Sequence, residues 1–398
     1  LAFLGDRRMK WITTAGTFLL VGSILTGISV AAQESAQNFQ LKNRIRVGWD
    51  DNVYEASVDE EDSFKIIEEI EFVVNLDLEQ TFVGFRYRPS FVWWENREPD
   101  DTDLHHEGDL VFSHNFTPRL SLSVKETLRI AELPELVDRG AIVREQDDYI
   151  YNLLDGVLGY KISDPTRVEF GGRYTLLRYD DSAVAETDDY DIYAVGVTLR
   201  QQFKRETALS GELRLEQSDY SGPDRGSDTY YVGGGVEQIF SPNLVGNIRA
   251  GWQQRLFNAD NIDDESAPYG DLSLTYLPTP KTRLTGGFGY SLFESDIYPY
   301  ASQDRLLSYV SLAHDLTARI QLYLSGSYQN SVYHTDEAIE DPEGSDGRED
   351  VMQISARASY MLNRNNYLEA QVSYMDFASD LREEFDRTRM ELGWRTQL

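Results

Sequence analysis

The sequence predicts an all-β fold, a transmembrane antiparallel up-and-down β-barrel of about 18 strands, with 16 as the alternative. Three observations predict it. Charged and apolar residues alternate along many runs, as in TRVEFGGRYTLLRYD (166–180). The runs are joined in turn by tight turns and by long acidic breaks. Beyond residue 32 no stretch approaches the roughly 20 apolar residues that a membrane helix needs. A strand places neighbours on opposite faces, so Val168, Phe170, Tyr174 and Leu176 share one side and Arg167, Glu169 and Arg173 the other. Soluble sheets average about five or six strands and do not need a charged reverse face on every one. Lipid outside and water inside account for both faces.

The N-terminal segment MKWITTAGTFLLVGSILTGISVAAQ has a basic start at Lys10, an apolar run around Phe18 to Val30, and small residues at Ala31 and Ala32. That pattern predicts a secretory leader cut after Ala32, with LAFLGDRR as sequence upstream of a start at Met9. The barrel is expected to occupy 33–398. Export would carry the chain to a compartment where disulfides form, yet it has no cysteine. Stability must come from pairing and packing, and a thiol nucleophile or a cysteine zinc site is excluded. A formal net charge of −31 excludes binding to nucleic acid through general electrostatics. An aromatic content of 12% separates the chain from disordered acidic tails.

Taken in order, the first alternating run spans Asn38 to Tyr54, and eight short breaks then recur: DLEQT (77–81), FTPR (116–119), SDPT (163–166), FKRET (203–207), FSPN (240–243), TPK (279–281), DLTAR (315–319) and NRNN (363–366). Several are rich in the Pro, Asn and Asp that tight turns favour. Fresh alternating runs follow them, among them RLSLSVKETL, LVGNIRAGW, TRLTGGFGY, RIQLYLSGSY and YLEAQVSY, and the last run is Phe385 to Leu398. Between successive short turns lies a longer break, often acidic: EASVDEED (55–62), EPDDTD (98–103), TDDYD (187–191), ADNIDDE (259–265) and DEAIEDPEGSDGRED (336–350). The repeat length also suits a propeller blade, but a blade divides its residues into four short strands, whereas each repeat here holds two long ones. The pattern is disturbed chiefly in 64–94 and 103–131, at Glu68, Glu69 and Glu126.

Aromatic residues at strand ends are expected to form interfacial girdles: Trp93, Trp94, Tyr149, Tyr151, Phe240, Tyr276, Tyr298, Tyr300, Tyr360, Tyr367, Phe377 and Trp394. Lipid-facing runs include Leu209, Leu213 and Leu215, then Ile248, Ala250 and Trp252, then Leu368, Ala370, Val372 and Tyr374.

At VGWDDNVYEA (47–56) and again at FTPRLSLSVKETLR (116–129) the sequence resembles the β-barrel porin 2 family of Gram-negative outer membranes. The resemblance implies an outer-membrane barrel with a porin or exopolysaccharide-associated role. The final alternating segment ends in Leu398, where outer-membrane strands usually close on an aromatic residue.

Chemistry is sparse. His105, His106, His114, His314 and His334 offer one protease-like pairing, His334 with Asp336, and solvated histidines are the plainer reading. The acidic breaks lack the ligand spacing of a calcium loop, and Asp50 with Asp51 reads as a turn cap. No cofactor or metal is expected. The inward faces supply the site instead: Arg173, Arg214, Arg249, Arg283, Arg357 and Arg389 beside Glu169, Glu212, Glu216 and Glu391, opposed charges that would polarise a pore for hydrophilic solutes. The expectation is a channel for small hydrophilic solutes, cation-preferring at low salt. A scaffold or conduit for surface polysaccharide is the alternative, and an outer-membrane hydrolase the third reading. Expected partners are outer-membrane lipid and lipopolysaccharide, the assembly machinery, and the solutes or polysaccharide, with no nucleic acid.

Overall fold

The computed structural model describes residues 38–398 except 99, 132–134, 137–141, 144–146, 223–225, 261, 298–299 and 335–346; side chains at 135–136 and 142–143 are likewise outside the description. The expected leader, 1–32, lies outside the described residues. So do Tyr298, Asp336 and most of DEAIEDPEGSDGRED.

Eighteen long strands form one sheet. They are β1 (Phe39–Asp50), β2 (Ser63–Asp77), β3 (Thr81–Trp94), β4 (Thr102–Asn115), β5 (Leu120–Ala131), β6 (Tyr149–Lys161), β7 (Thr166–Tyr179), β8 (Tyr190–Lys204) and β9 (Thr207–Tyr220). The second half holds β10 (Ser227–Ser241), β11 (Leu244–Phe257), β12 (Glu265–Thr279), β13 (Thr282–Glu294), β14 (Ser302–Asp315), β15 (Ile320–His334), β16 (Gly347–Asn363), β17 (Asn366–Ser379) and β18 (Phe385–Gln397). Each pairs antiparallel with its sequence neighbours. β1 also pairs with β18, from Lys42↔Gln397 to Asp50↔Arg389, which closes the ring.

The short turns hold their shape through side-chain oxygens that stand in for a turn's backbone acceptor. Thr117 Oγ1 accepts from the N–H groups of Arg119 (3.2 Å) and Leu120 (3.0 Å). Thr317 repeats this with Arg319 (3.1 Å) and Ile320 (3.0 Å), and Asn363 Oδ1 accepts from Asn365 N–H (3.0 Å). The one described helix, α1 (Ser182–Asp188), sits in a long loop, and Asp181 caps it by accepting from Ala183 N–H (2.7 Å). Nothing in the alternating pattern announced it.

Register gives each strand an apolar outer and a polar inner face. Val168, Phe170, Tyr174 and Leu176 pair outward with Leu199, Val197, Tyr193 and Asp191. Leu213, Ile248, Trp252, Phe288, Ile354 and Val372 are all exposed on the same side. Three expectations change. The first strand ends at Asp50, because residues 51–54 leave the wall and turn into the barrel mouth. Trp94, Tyr149, Tyr151 and Phe377 are 1%, 1%, 2% and 7% exposed. Their parity along the strand points them inward, and Tyr367 also faces inward, under Arg395. Trp93, Phe240, Tyr276, Tyr360 and Trp394 remain exposed at the outer wall.

With every strand paired on both edges, unfolding requires breaking the whole ring. The protein is expected to migrate faster on SDS gels before boiling than after. Identical mobility would contradict closure.

Candidate pore and its mouth

The segment Asp50–Ala56 builds the mouth from its own backbone needs. Asn52, fully buried, donates from Nδ2 to the Ala56 (2.7 Å) and Asp386 (3.1 Å) carbonyls, and its Oδ1 accepts from Ala56 N–H (2.9 Å). This pins a tight loop in which Glu55 takes a φ of 55°. The loop drives Val53, 2% exposed, inward against Ile67, Val92 and Trp94. Asp51, read from the sequence as a turn cap, instead pairs its carboxylate and backbone with the Thr388 backbone of β18, on the seam that closes the ring.

Asp50, fully buried, anchors the loop to the wall. Its Oδ1 accepts from Arg387 Nε (2.8 Å) and its Oδ2 from Arg387 Nη2 (2.9 Å). Lys65 Nζ and Arg389 Nε each lie 3.3 Å from Oδ2. Glu55 takes the remaining Arg387 edge at 2.6 Å. Tyr54 ties the loop to the next one, donating to the Glu98 carbonyl (3.0 Å) and accepting from Glu98 N–H (2.7 Å). There Trp94 Nε1 and Arg97 Nη1 both donate to Asp103 Oδ2 at 2.8 Å, and Lys65 lies over the Trp94 ring at 4.7 Å.

Further round the mouth, on β6 to β8, Tyr149, Tyr151, Leu153, Leu177, Tyr179 and Tyr190 form a second cluster, against which Val184 and Ala185 of α1 pack. Just beyond this cluster, burial raises the Asp189 carboxyl above its usual range, although it accepts from Tyr179 N–H (2.8 Å). The loop between β13 and β14 brings in Asp296, which accepts from Tyr333 Oη and Gln303 Nε2, both 2.8 Å, and faces Arg305 at 3.2 Å.

Below the mouth, inward charges form a lattice. On the β17–β18–β1–β4 wall, Glu69 is held by Arg44, by Arg46 Nη2 (3.1 Å) and, further off, by Arg88 (3.9 Å). Arg44 Nε reaches Glu369 (2.8 Å), Arg46 Nη1 reaches Glu391 (2.8 Å), and Arg86 bridges Glu107 and Asp109. Most of these residues were not singled out from the sequence. The parity that marked Arg173 would have marked Arg44, Arg46, Arg86 and Arg88 too.

The ten residues singled out lie on this same inner face of their strands. Arg173 pairs with Asp155 (2.6 Å), Glu169 with Arg167 (2.9 Å), and Arg249 with Asp271 (2.6 Å) and Glu212 (3.3 Å). Arg214 stacks over Tyr231 at 3.7 Å, and Tyr231 donates to Glu216 (3.2 Å). Glu391 joins Arg46, and Arg389 joins Asp50. Arg357 stays exposed with Gln371 as its bonded partner among the described residues, and Arg283 is exposed beside the short turn before β13. They do not converge on one point. They ring the interior.

Among the described residues the histidines do not gather at one place. His106 bonds Tyr87 on the outer wall, His114 bonds Thr81, His314 bonds Thr282, and His334 Nε2 faces Asp304 at 3.2 Å. Among the described residues no three metal-ligating side chains cluster.

A family model described as "Putative beta-barrel porin 2" matches residues 38–398. The chain belongs to that family. It is a porin-like outer-membrane channel, and the family points away from an enzyme. Among solved structures, this porin is similar to OccAB4 of Acinetobacter baumannii, with 12% identity over 91% of this chain and 99% of that one and a TM-score of 0.47. It is similar also to OccK1 (OpdK) of Pseudomonas aeruginosa, with 13% identity, the same coverages and a TM-score of 0.49. Nothing about solute follows from resemblances this distant. No curated protein matches the chain.

Proposed function

We propose that this porin is a cation-preferring passage for small hydrophilic solutes, with the long loops outside the cell and the ten inward Arg and Glu residues among those that line the route. The observation that carries the reading is a division of charge. Most interior cations pair with carboxylates at ion-pair distance, while unpaired acid is concentrated in long loops such as the exposed 57–62. A balanced interior orients polar solutes by a transverse field, and an acidic entrance concentrates cations. An 18-stranded barrel is wide enough to hold water. Export by a cleaved leader and insertion by the outer-membrane assembly machinery belong to the same reading.

The preference should fade with salt, because the Debye length falls from about 10 Å at 0.1 M to about 3 Å at 1 M. Reversal potentials across planar bilayers under a KCl gradient are expected to show cation preference at low salt and little at high salt. Replacing the acids of 336–346 by Ser and Asn should weaken it without closing the pore. An anion preference at low salt would refute the proposal.

The packed mouth favours one second reading, a closed barrel that serves as scaffold or conduit for surface polysaccharide. Correctly folded protein that stayed electrically silent in bilayers would favour it.

A further inference from the structure

Of the three acids that disturbed the alternating pattern, Glu68 and Glu126 stand on the outer wall. Glu68 pairs across the sheet with Ile45 and Phe91, and Glu126 with Leu110 and Leu154, all on the apolar face. Each carboxylate takes an asparagine from the adjacent strand: Asn43 Nδ2 donates to Glu68 Oε1 (3.1 Å), and Asn152 Nδ2 to Glu126 Oε1 (3.2 Å). Between them Tyr87 Oη lies 2.7 Å from His106 Nδ1, again on the outer face. Elsewhere among the described residues the outward acids, such as Asp191, Asp304, Asp350 and Asp376, sit at the long-loop ends of their strands. Carboxylates within the apolar band are thus confined to one contiguous wall.

Intramembrane ionisable groups are costly against lipid and normally face protein. The order of residues indicates which protein. Across six consecutive strands, β1 to β6, the outward polar residues away from the strand ends read Asn43, Glu68, Tyr87, His106, Glu126 and Asn152. Outside the central Tyr and His, the order is the same in either direction. A two-fold axis along the membrane normal, passing between β3 and β4, exchanges β1 with β6, β2 with β5, and β3 with β4. It lays this row against its own reverse, with Tyr87 opposite His106 and Glu68 opposite Glu126, where two facing carboxyls can share one proton, an arrangement that an isologous interface allows. Neither Oε2 of Glu68 nor that of Glu126 has a hydrogen bond among the described residues. With Nδ1 of His106 facing Tyr87 of its own copy, its Nε2 is the nitrogen left to face the other copy. A hollow beside Glu126 gives room for approach: Gly156 and Gly172 are cross-strand partners on the outer face, and a Cβ on Gly172 would meet nothing within 4 Å.

We propose that a second copy of this chain docks on the outer wall of β1 to β6, forming a two-fold dimer in the membrane through the Asn43–Glu68, Tyr87–His106 and Glu126–Asn152 pairs. The proposal rests on this wall facing lipid, as the barrel reading requires.

The absence of cysteine makes the test clean. In outer-membrane fractions, Leu110→Cys on β4 should give a cross-linked dimer on mild oxidation or with a short bis-maleimide, and Val310→Cys on β14 should not. Adding Glu68→Leu and Glu126→Leu to Leu110→Cys should abolish the cross-link while the fast-migrating unboiled band persists, which separates loss of docking from loss of the barrel. Native mass spectrometry of the wild type should give two barrels. Equal cross-linking at both positions, a cross-link insensitive to the two leucines, or a mass of one or three barrels would overturn the proposal.

Discussion

Asp50→Ala is expected to release the first loop from the mouth, raise single-channel conductance and reduce cation preference. The carboxylate is fully buried and neutralises Arg387, Lys65 and Arg389 together. Removing one partner from a buried ionic group costs about 3–5 kcal/mol, chiefly because the cations left behind lose their counter-charge. The wall itself is held by strand pairing and should survive, so the loss falls on the Asn52–Val53 loop that Asp50 anchors. The unboiled gel band should persist but convert at a lower temperature. Conductance and conversion temperature both equal to wild type would show that the ionic knot holds nothing in place.

Gly251→Val is expected to have the second-largest effect, on stability and not on selectivity. Gly233 and Gly251 are cross-strand partners on the inner face, and Tyr269 lies across them. A Cβ on Gly251 would come within 2.3 Å of the Val232 carbonyl and 2.6 Å of the Tyr269 ring. The backbone cannot yield, so the ring must move, and its hydroxyl then loses Glu212, to which it donates at 2.6 Å. Overpacking of this kind costs about 1–3 kcal/mol. A lower yield of the heat-modifiable form should result. Gly172→Val, where the Cβ meets open space on the outer face, is the matched control and should keep the wild-type yield of the heat-modifiable form. Equal behaviour of the two variants would contradict this packing account.

What the sequence made legible follows from local geometry. Alternation at period two assigned the two faces of the strands, and turn chemistry separated the short connections from the long ones. Strand ends were less legible, because enrichment in Trp and Tyr does not reveal parity: Trp93 and Trp94 are neighbours, yet one stands at the outer wall and the other is packed inside. The first loop was read as more strand because residues 51–54 continue the polar and apolar mix. Only Asn52 closing on Ala56 turns Val53 inward. The pairing within the interior was beyond local reading. Arg44 finds Glu369 from opposite ends of the chain, brought together only when β18 closes on β1. Glu68 and Glu126 were visible as disturbances, but their outward placement needed the register of both flanking strands.

The central claim is a conducting barrel narrowed at its mouth by its own first loop. Single-channel recording in planar bilayers, comparing the wild type with a variant whose 51–57 segment is replaced by Gly and Ser, tests it most directly. The account predicts discrete conducting steps from the wild type and larger ones from the variant, with both proteins heat-modifiable on gels. Silence from both, or steps of equal size, would contradict it.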